Sequence, residues 1–317
     1  MKAFVSDRYG GPEVLRLEEV AKPTAGDGDV LVKIHAISVN PADWHLLRGS
    51  PVLMRAAMGL FRPKAKIIGA DVAGTVEAIG EGVTRLKPGD EVIGDLSAGR
   101  FGAFAEYVAD KESMFVAKPK NLSFQESAAI PLAGITALQG VMKRGPIRAG
   151  QTVLINGASG GVGHFAVQIA KSFGAEVTGV TSTKNIDRVR SLGADHVIDY
   201  TKEDFTLGGK SWDLVVETVG NKSLGEIRRA LTPNGKATVI GFESMPRVLA
   251  VSLFGGKSVS MMTAKATMPD LETLAKLAEA DSLKPTIDKT YPFSELPAAI
   301  AYLEEGHVAG KVVVEIG

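Results

Sequence analysis

The chain has 317 residues, 45% of them hydrophobic and 23% charged, which is the balance of a globular protein long enough for two domains. Lysine plus arginine and aspartate plus glutamate number 36 each, so the formal net charge is zero and the chain lacks the basic surface of a nucleic-acid binder. The absence of cysteine excludes disulfides, thiolate catalysis and zinc sites built on sulfur.

The N-terminal sequence MKAFVSDRYGGPEV has no long apolar stretch behind a basic start, so it does not resemble a secretory signal peptide. No window of the chain approaches the roughly 18 apolar residues that cross a bilayer. We therefore expect a cytoplasmic protein with no membrane partner and no nucleic-acid partner.

Residues 1–118 predict a β-rich, barrel-like domain. Apolar runs such as DVLVKIHAISV and ADVAGTVEAIG are separated by Gly, Pro and Asp turns, and helical patterns are few. The segment 49–63 (GSPVLMRAAMGLFRP) is rich in Met and other apolar residues. Its sequence leaves three interpretations open, namely a substrate lid, a partner surface and a packed helix.

Residues 119–264 predict an α/β fold, because short β runs alternate with helical patterns and such βαβ units form a parallel sheet. Over 162–173 the apolar residues recur with the period of a helix. The β runs of this zone are TVLIN, AEVTGV, HVIDY, DLVVET and KATVIGF.

Residues 265–317 contain two amphipathic helix patterns, an extended piece bounded by prolines, and a closing strand, KVVVEIG. A strand beyond the parallel-sheet region indicates that the chain returns to complete the first domain.

A glycine-rich loop stands where a parallel sheet can bind a dinucleotide. The strand Thr152–Asn156 leads at once into GASGGVG, and an amphipathic helix begins near Val162. Glycines let the backbone approach a pyrophosphate, and the N–H groups at the helix start hold its charge. The alternative is an ordinary tight turn, since the loop departs from GxGxxG spacing. The residues predicted to bind are Asn156, Gly157, Ala158, Ser159, Gly160, Gly161 and Val162.

The second strand of this zone is followed by hydroxyl side chains and a cation, Thr181, Ser182 and Lys184. An NAD site usually places Asp or Glu there to accept from the ribose 2′-hydroxyl, whereas hydroxyls and a cation suit a 2′-phosphate. We therefore expect NADP(H), with a solvated helix start capped by Ser182 or Thr183 as the alternative. Tyr200, which ends the third strand, either stacks near the adenine or the phosphate or is only a residue at the sheet edge.

Ligands of doubly wound sheets bind outside the carboxyl ends of the strands. The fourth and fifth strands end in two triplets whose backbone groups we expect to hold the nicotinamide and its ribose. These residues are Thr218, Val219, Gly220, Ile240, Gly241 and Phe242.

The order and spacing of several short motifs resemble the medium-chain dehydrogenase/reductase superfamily, and specifically its zinc-free quinone oxidoreductase (zeta-crystallin-like) branch. The motifs are SVNPADWHLLRG, GADVAGTVEAIGEGV, KPGDEV, GAFAEYV, PLAGITALQG, INGASGGVGHFAVQIAK, SLGADHVIDY and GKVVVEIG. The resemblance implies a Rossmann doubly wound parallel sheet (119–264) inserted into a β-rich GroES-like domain (1–118, completed by 265–317), with NADP in the cleft between them. It also implies a homodimer joined through the edge of the Rossmann sheet, where we expect the apolar stretch 258–262.

Zinc-dependent members of this superfamily bind a catalytic metal through Cys, a Gly-His-Glu motif and a further ligand, but the corresponding positions here are Asn40 and Gly69-Ala70-Asp71. We therefore expect no metal. The resemblance implies two catalytic residues, Asn40, which would lie beside the nicotinamide ribose or the substrate carbonyl, and Thr136, which would contact the nicotinamide side. It also implies that Lys311 reaches the cofactor. The alternatives are an Asx turn at Asn40 and a surface position for Lys311.

Without a metal to polarise an alcohol or an isolated carbonyl, the accessible reaction is hydride transfer to an acceptor that is already electron-poor. We predict an NADPH-dependent oxidoreductase that reduces a small electrophile, either a quinone or an α,β-unsaturated carbonyl compound. An enoyl-thioester reductase on the same fold is a second hypothesis, and a non-catalytic NADPH-binding sensor or partner protein is a third.

Overall fold

The computed structural model describes residues 1–52, 55–142, 147–241 and 245–317. This part of the chain divides into two compact units. The first unit comprises Met1–Leu132, Lys265–Ala280 and Pro285–Gly317, and the second comprises Ala133–Ala264 and Asp281–Lys284. Both ends of the chain therefore belong to the first unit.

The elements are numbered in chain order. The strands are β1 (Lys2–Val5), β2 (Arg16–Glu19), β3 (Asp29–Val39), β4 (Asp71–Ile79), β5 (Glu91–Asp95), β6 (Tyr107–Lys111), β7 (Phe115–Ala117), β8 (Thr152–Asn156), β9 (Glu176–Thr181), β10 (His196–Asp199), β11 (Trp212–Glu217), β12 (Leu231–Val239), β13 (Val259–Met261), β14 (Ile287–Pro292) and β15 (Lys311–Glu315). The helices are α1 (Pro41–Arg48), α2 (Arg55–Met58), α3 (Phe124–Ala128), α4 (Pro131–Met142), α5 (Gly163–Ser172), α6 (Ile186–Ser191), α7 (Leu224–Arg229), α8 (Met245–Phe254), α9 (Met268–Glu279) and α10 (Leu296–Glu304).

The first unit is built on a seven-stranded sheet with the order β14-β15-β3-β4-β5-β7, in which β6 also pairs with β3. Nearly all residues of β3 are buried, because β15, β4 and β6 pair with it and the core packs against it. That core includes Phe104, Phe115 and Ile34. The closing strand β15 runs antiparallel to β3, so the C-terminal residues complete this unit.

The second unit is a six-stranded parallel sheet with the order β10-β9-β8-β11-β12-β13. The winding reverses between β8 and β11, which is the switch point where ligands bind in doubly wound sheets. The register pairs Asn156 with Val180 and with Glu217, and Glu217 with Val239. The carboxyl ends of these four strands therefore form one edge.

Several predicted elements are present at the predicted residues. β8 spans Thr152–Asn156, α5 spans Gly163–Ser172, and β13 is the last strand on its side of the sheet. Part of the segment 49–63 forms α2, while Leu53 and Met54 lie outside the described residues. In the part of the chain that the structure describes, no helix is long and apolar enough to cross a bilayer.

Candidate active site

The glycine-rich loop between β8 and α5, residues 157–162, is called the phosphate loop below. The connection requires glycine at two positions, the first residue of the loop and the first residue of α5. Gly157 has a φ of 82°, in the left-handed region that glycine adopts without strain. At Gly163 a Cβ would overlap the Gly157 carbonyl oxygen. The start of α5 is therefore in direct contact with the loop, in the tight strand-loop-helix arrangement that the sequence predicts.

The loop leaves amide groups open at the start of α5. The N–H groups of Gly157 and Ala158 donate to the Val180 carbonyl at 3.2 and 3.0 Å, which ties the loop to β9. Among the described residues, no acceptor takes the N–H of Gly161 or Val162. Open N–H groups at a helix start carry partial positive charge and attract phosphate. The loop therefore fits the pyrophosphate of a dinucleotide.

Polar side chains gather where β9 ends. The Thr181 hydroxyl donates to Ser159 Oγ at 2.8 Å, and the Asn185 amide donates to Oγ of both Ser159 and Ser182 at 3.3 Å. Ser159 accepts two hydrogen bonds here, so its own hydrogen is left to donate. Lys184 is exposed and forms no ion pair with any residue in the described ranges. The cluster joins three predicted residues to the buried Asn185, which the sequence prediction did not include.

A carboxylate lies beside this cluster, at the end of β10. Asp199 accepts from the hydroxyls of Thr183 and Thr201 at 2.5 and 2.7 Å, and Lys202 Nζ lies 3.4 Å away. The hydrogen bonds from Thr183 and Thr201 lower the pKa of Asp199 to about 2. The sequence prediction considered a carboxylate only after the second strand and missed this one. Tyr200 follows Asp199 and is 63% exposed.

The ends of β11 and β12 are in close contact. The Thr218 hydroxyl donates to the Asn156 carbonyl at 2.6 Å, and a Cβ at Gly241 would overlap the Thr218 carbonyl oxygen. Glu217 ends β11, and burial raises its pKa. The sequence prediction did not include Glu217, since DLVVET has the pattern of an ordinary buried strand. Phe242 lies outside the described residues.

In the first unit, Asn40 is a buried bridge at the N-terminus of α1. Its Nδ2 donates to Asp71 Oδ2 at 2.9 Å and to the Ser38 carbonyl at 3.4 Å. Its Oδ1 accepts from Lys311 Nζ, and its backbone N–H donates to Asp43 at 2.7 Å. Asn40 therefore caps a helix and also connects two buried charged side chains.

Burial shifts the pKa values of several ionisable groups around Asn40. Burial raises the pKa of Asp43 to about 7, and burial together with the nearby Asp71 raises the pKa of Asp95 to about 6. Burial lowers the pKa of Lys311, whose Nζ is 3.6 Å from Asp71 Oδ2. Because Lys311 is only 3% exposed, the alternative of a surface lysine is wrong.

The two residues predicted to be catalytic lie in different units. Thr136 is buried in α4 of the second unit, and Asn40 belongs to the first, together with Lys311. Within the described ranges, no three His, Cys, Asp or Glu side chains are grouped so that they could hold a metal ion.

Two family models match the chain. The model described as "Alcohol dehydrogenase GroES-like domain" matches residues 26–120, and the one described as "Zinc-binding dehydrogenase" matches residues 192–314. A 2-methylene-furan-3-one reductase of Solanum lycopersicum is 38% identical over 99% of this chain and 79% of its own length. The chain belongs to the medium-chain dehydrogenase/reductase superfamily, in its quinone oxidoreductase branch.

Further relatives of this medium-chain dehydrogenase/reductase agree with that membership. The solved structure of the quinone oxidoreductase from Coxiella burnetii matches with a TM-score of 0.89 and 32% identity, over 100% of this chain and 99% of the other. A chloroplastic NADPH-dependent alkenal/one oxidoreductase of Arabidopsis thaliana is 34% identical over 99% of this chain and 79% of its own length. The predicted family and fold are confirmed, and the chain is an oxidoreductase of an NAD(P)-dependent family.

Proposed function

We propose that this enzyme is an NADPH-dependent, zinc-independent reductase that transfers a hydride to a quinone or to the β-carbon of an α,β-unsaturated carbonyl compound. The observation that carries the proposal is the phosphate loop, with open amides at Gly161 and Val162 and the hydroxyl and amide cluster beside it. The names of the relatives, a furanone reductase and an alkenal/one oxidoreductase, support the same class of acceptor.

We assign the 2′-phosphate of NADPH to the end of β9. Ser159 and Ser182 supply hydroxyl groups, and Lys184 supplies an exposed cation. A phosphate there gains charge-assisted hydrogen bonds that an unphosphorylated ribose does not make. Asp199 is the opposing charge, and Lys202 at 3.4 Å partly offsets it. We therefore propose NADPH as the preferred cofactor, with Tyr200 beside the adenine.

The nicotinamide end is assigned to the other half of the same sheet edge. Backbone groups of residues 218–220 and 240–241 would hold the nicotinamide and its ribose, and Thr136 would contact the nicotinamide side. This assignment is supported by the position of β11 next to β8, across the switch point of the sheet, with β12 on the other side of β11.

When bound, NADPH supplies the hydride, and solvent water can supply the proton that completes the reduction. We assign to Asn40 the hydrogen bond that stabilises the acceptor oxygen as it gains charge. Its Nδ2 hydrogen toward the Ser38 carbonyl makes a long 3.4 Å contact, so it is the hydrogen that remains to donate to a substrate oxygen while the carboxamide keeps its orientation. Lys311 serves by holding Asn40 Oδ1. Zinc is not required, because Asn40 and Ala70 stand where zinc-dependent relatives have ligands.

We also propose a homodimer formed through β13, the last strand of the six-stranded sheet. An unpaired strand edge is a template for pairing with a second copy. The adjacent helix α8 supports this, because it carries exposed apolar side chains at Leu249, Leu253 and Phe254. The cytoplasmic location stays a prediction, since the Arabidopsis relative is named as chloroplastic.

The test follows NADPH absorbance when the purified protein meets quinones, short enones and enals, with and without a chelator. We expect oxidation of NADPH with at least one acceptor, faster than oxidation of NADH and unchanged by the chelator. Loss of activity on chelation would contradict the zinc-independent mechanism. A preference for an enoyl pantetheine thioester over the matching short enone would favour the enoyl-thioester reductase.

Tight NADPH binding without turnover of any acceptor would favour the sensor hypothesis. Asn40→Ala tests the assigned hydrogen bond, and we expect it to lower kcat about a hundredfold. Gln125→Ala is the control, because it removes an amide of the same unit that donates to Glu315. An Asn40 variant as active as the control would remove Asn40 from the mechanism.

A further inference from the structure

A buried carboxylate lies at the carboxyl ends of the strands of the six-stranded sheet, where the cofactor is proposed to bind. Glu217 Oε1 accepts from the N–H groups of Val219 and Gly220, each at 2.9 Å, and its Oε2 accepts from the Asn156 side-chain amide at 2.8 Å. Glu217 is fully buried, and no Lys, Arg or His of the described part of the chain forms an ion pair with it. Burial of a carboxylate without a cation is costly. The fold nevertheless keeps one where an anionic cofactor is expected.

These hydrogen bonds determine which way the turn after β11 faces. In a trans peptide, the N–H of one residue and the C=O of the preceding residue point in opposite directions. Because the N–H groups of Val219 and Gly220 point to Glu217, the carbonyls of Thr218 and Val219 point away from it. The Thr218 carbonyl packs against Gly241. The Val219 carbonyl accepts from no donor among the described residues.

The same turn is packed against the phosphate loop. Val219 Cγ2 would lie 2.9 Å from a Cβ at Gly157, so the valine side chain covers the first glycine of the loop. The Asn156 amide links Glu217 to the end of β8, and the Glu217 carbonyl accepts from the Ile240 N–H at 2.8 Å. Glu217 thus connects the ends of three neighbouring strands at the point where the turn leaves the sheet.

We propose that Glu217 is the positioning residue for the nicotinamide end of the cofactor site. It holds residues 218–220 with their N–H groups inward and the Val219 carbonyl outward, where that carbonyl accepts from a hydroxyl or amide of the nicotinamide riboside. An ionised carboxylate suits this role because it only accepts hydrogen bonds. The inference rests on the proposed function, since it assumes a nicotinamide cofactor at this edge.

A residue with a purely structural role, suitable as a control for Glu217, lies at the opposite end of β11. Asp213 accepts from the Thr152 N–H and hydroxyl at 3.0 and 3.1 Å and from the Thr232 hydroxyl at 3.2 Å. It therefore links β11 to β8 and β12, as Glu217 does, but at the amino edge of the sheet. Substitution of Asp213 therefore shows how the loss of links between strands affects stability and cofactor binding when the hydrogen bonds of the turn after β11 are kept.

The experiment compares Glu217→Met, which keeps the side-chain volume and removes both acceptors, with Asp213→Leu as the matched control. Calorimetry gives the Kd of each protein for NADPH and for adenosine 2′,5′-bisphosphate, which carries the adenine end without the nicotinamide riboside. We expect Glu217→Met to raise the Kd for NADPH about tenfold and to leave that for the bisphosphate within about twofold. Asp213→Leu should lower Tm and leave both Kd values within about twofold.

Glu217→Gln is the rescue variant. Its carbonyl oxygen can accept from Val219 and Gly220. The Asn156 amide can rotate so that its oxygen accepts from the new NH₂ group, provided that Asn221, which now accepts from Asn156 at 3.2 Å, rotates with it. We expect its Kd for NADPH to return to within about threefold of the wild-type value. A glutamine variant as weak as the methionine variant would overturn the role in hydrogen-bond acceptance.

Equal losses for the two ligands in Glu217→Met, or no loss for either, would also overturn the inference. If the methionine variant does not fold, Glu217→Asp replaces it, because the shorter carboxylate withdraws the acceptors from the turn. The same selective loss for NADPH is then expected, and an equal loss for both ligands again overturns the inference. If the wild-type protein binds no NADPH, the proposed function fails as well. If the wild type binds and oxidises NADPH but the Glu217 variants lose both ligands equally, only the role of Glu217 is refuted.

Discussion

The Asn40 side chain is held between a group that only donates hydrogen bonds and a group that only accepts them. Lys311 Nζ donates to its Oδ1, and Asp71 accepts from its Nδ2. A flipped amide would place its NH₂ against the ammonium group and its oxygen against the carboxylate. The buried charges therefore fix the orientation of the carboxamide.

Lys311→Met should destabilise the chain, because it leaves the Asp71 carboxylate buried without its cation. Removing one partner of a buried pair costs about 3–5 kcal/mol. The double variant Lys311→Met/Asp71→Asn removes both charges and should recover most of that loss. Urea unfolding of the three proteins checks the prediction, and a double variant less stable than the single variant would contradict it.

Asp43 should make the stability of the chain depend on pH. Its pKa is 3.8 in an unfolded chain and about 7 in the folded chain, mainly because of burial. Between these values the folded chain holds a proton that the unfolded chain has lost, so the free energy of unfolding falls as pH rises toward about 7. Asp43→Asn removes this titration. Between about pH 5 and pH 8, the wild type should lose about 3 kcal/mol more than the variant.

Urea unfolding of both proteins at the two pH values measures that difference. Asparagine keeps an oxygen that can accept from the Asn40 N–H, which now donates to Asp43 at 2.7 Å, so the cap is preserved in the comparison. Parallel pH curves for the two proteins would show that Asp43 titrates alike in the folded and unfolded chains.

Lys184 should make the protein bind NADPH more tightly than NADH. Lys184→Glu places a negative charge where the 2′-phosphate of NADPH is proposed to bind, and NADH has no phosphate there. We expect the Kd for NADPH to rise at least about tenfold and that for NADH to change by less than about threefold. Lys210→Glu, an exposed change of the same charge in the same unit, is the control for net charge. Equal losses of the two cofactors would refute the assignment.

The connection from β8 to α5 depends on a close backbone contact. A Cβ at Gly163 would overlap the carbonyl of Gly157, which is backbone and cannot rotate away. Gly163→Ala should therefore cost about 1–3 kcal/mol of stability and weaken NADPH binding at least about tenfold. Gly225, in α7, has open space around its Cβ position, so Gly225→Ala should stabilise by about 0.5–1 kcal/mol and leave binding unchanged.

Thermal unfolding and NADPH calorimetry of the two alanine variants test this pair of predictions. A Gly163 variant that binds NADPH as well as the Gly225 variant would mean that the loop can move away from the helix without losing its ligand.

The elements themselves were predictable, because their signals are local. β8 and α5 differ in hydrophobic period, and the glycines that join them mark the turn. The site was less predictable, because its contacts join distant parts of the chain. Lys311 bonds to a residue 271 positions away, and nothing in the run KVVVEIG distinguishes a buried lysine from an exposed one. The role of Glu217 could not be predicted for the same reason, since its hydrogen-bond partners depend on the register of three strands.

The proposed dimer would extend the six-stranded sheet across β13 into a second copy of the chain. Leu253 is 71% exposed on α8 beside that edge, and a second copy would cover it. Leu253→Glu should therefore separate the dimer, because it buries an unpaired carboxylate at the contact. Leu207 is 74% exposed in the same unit, between β10 and β11, so Leu207→Glu is the matched control and should remain dimeric. Sedimentation equilibrium decides between the outcomes: a monomeric wild type, or two variants with the same mass, would exclude this edge as the interface.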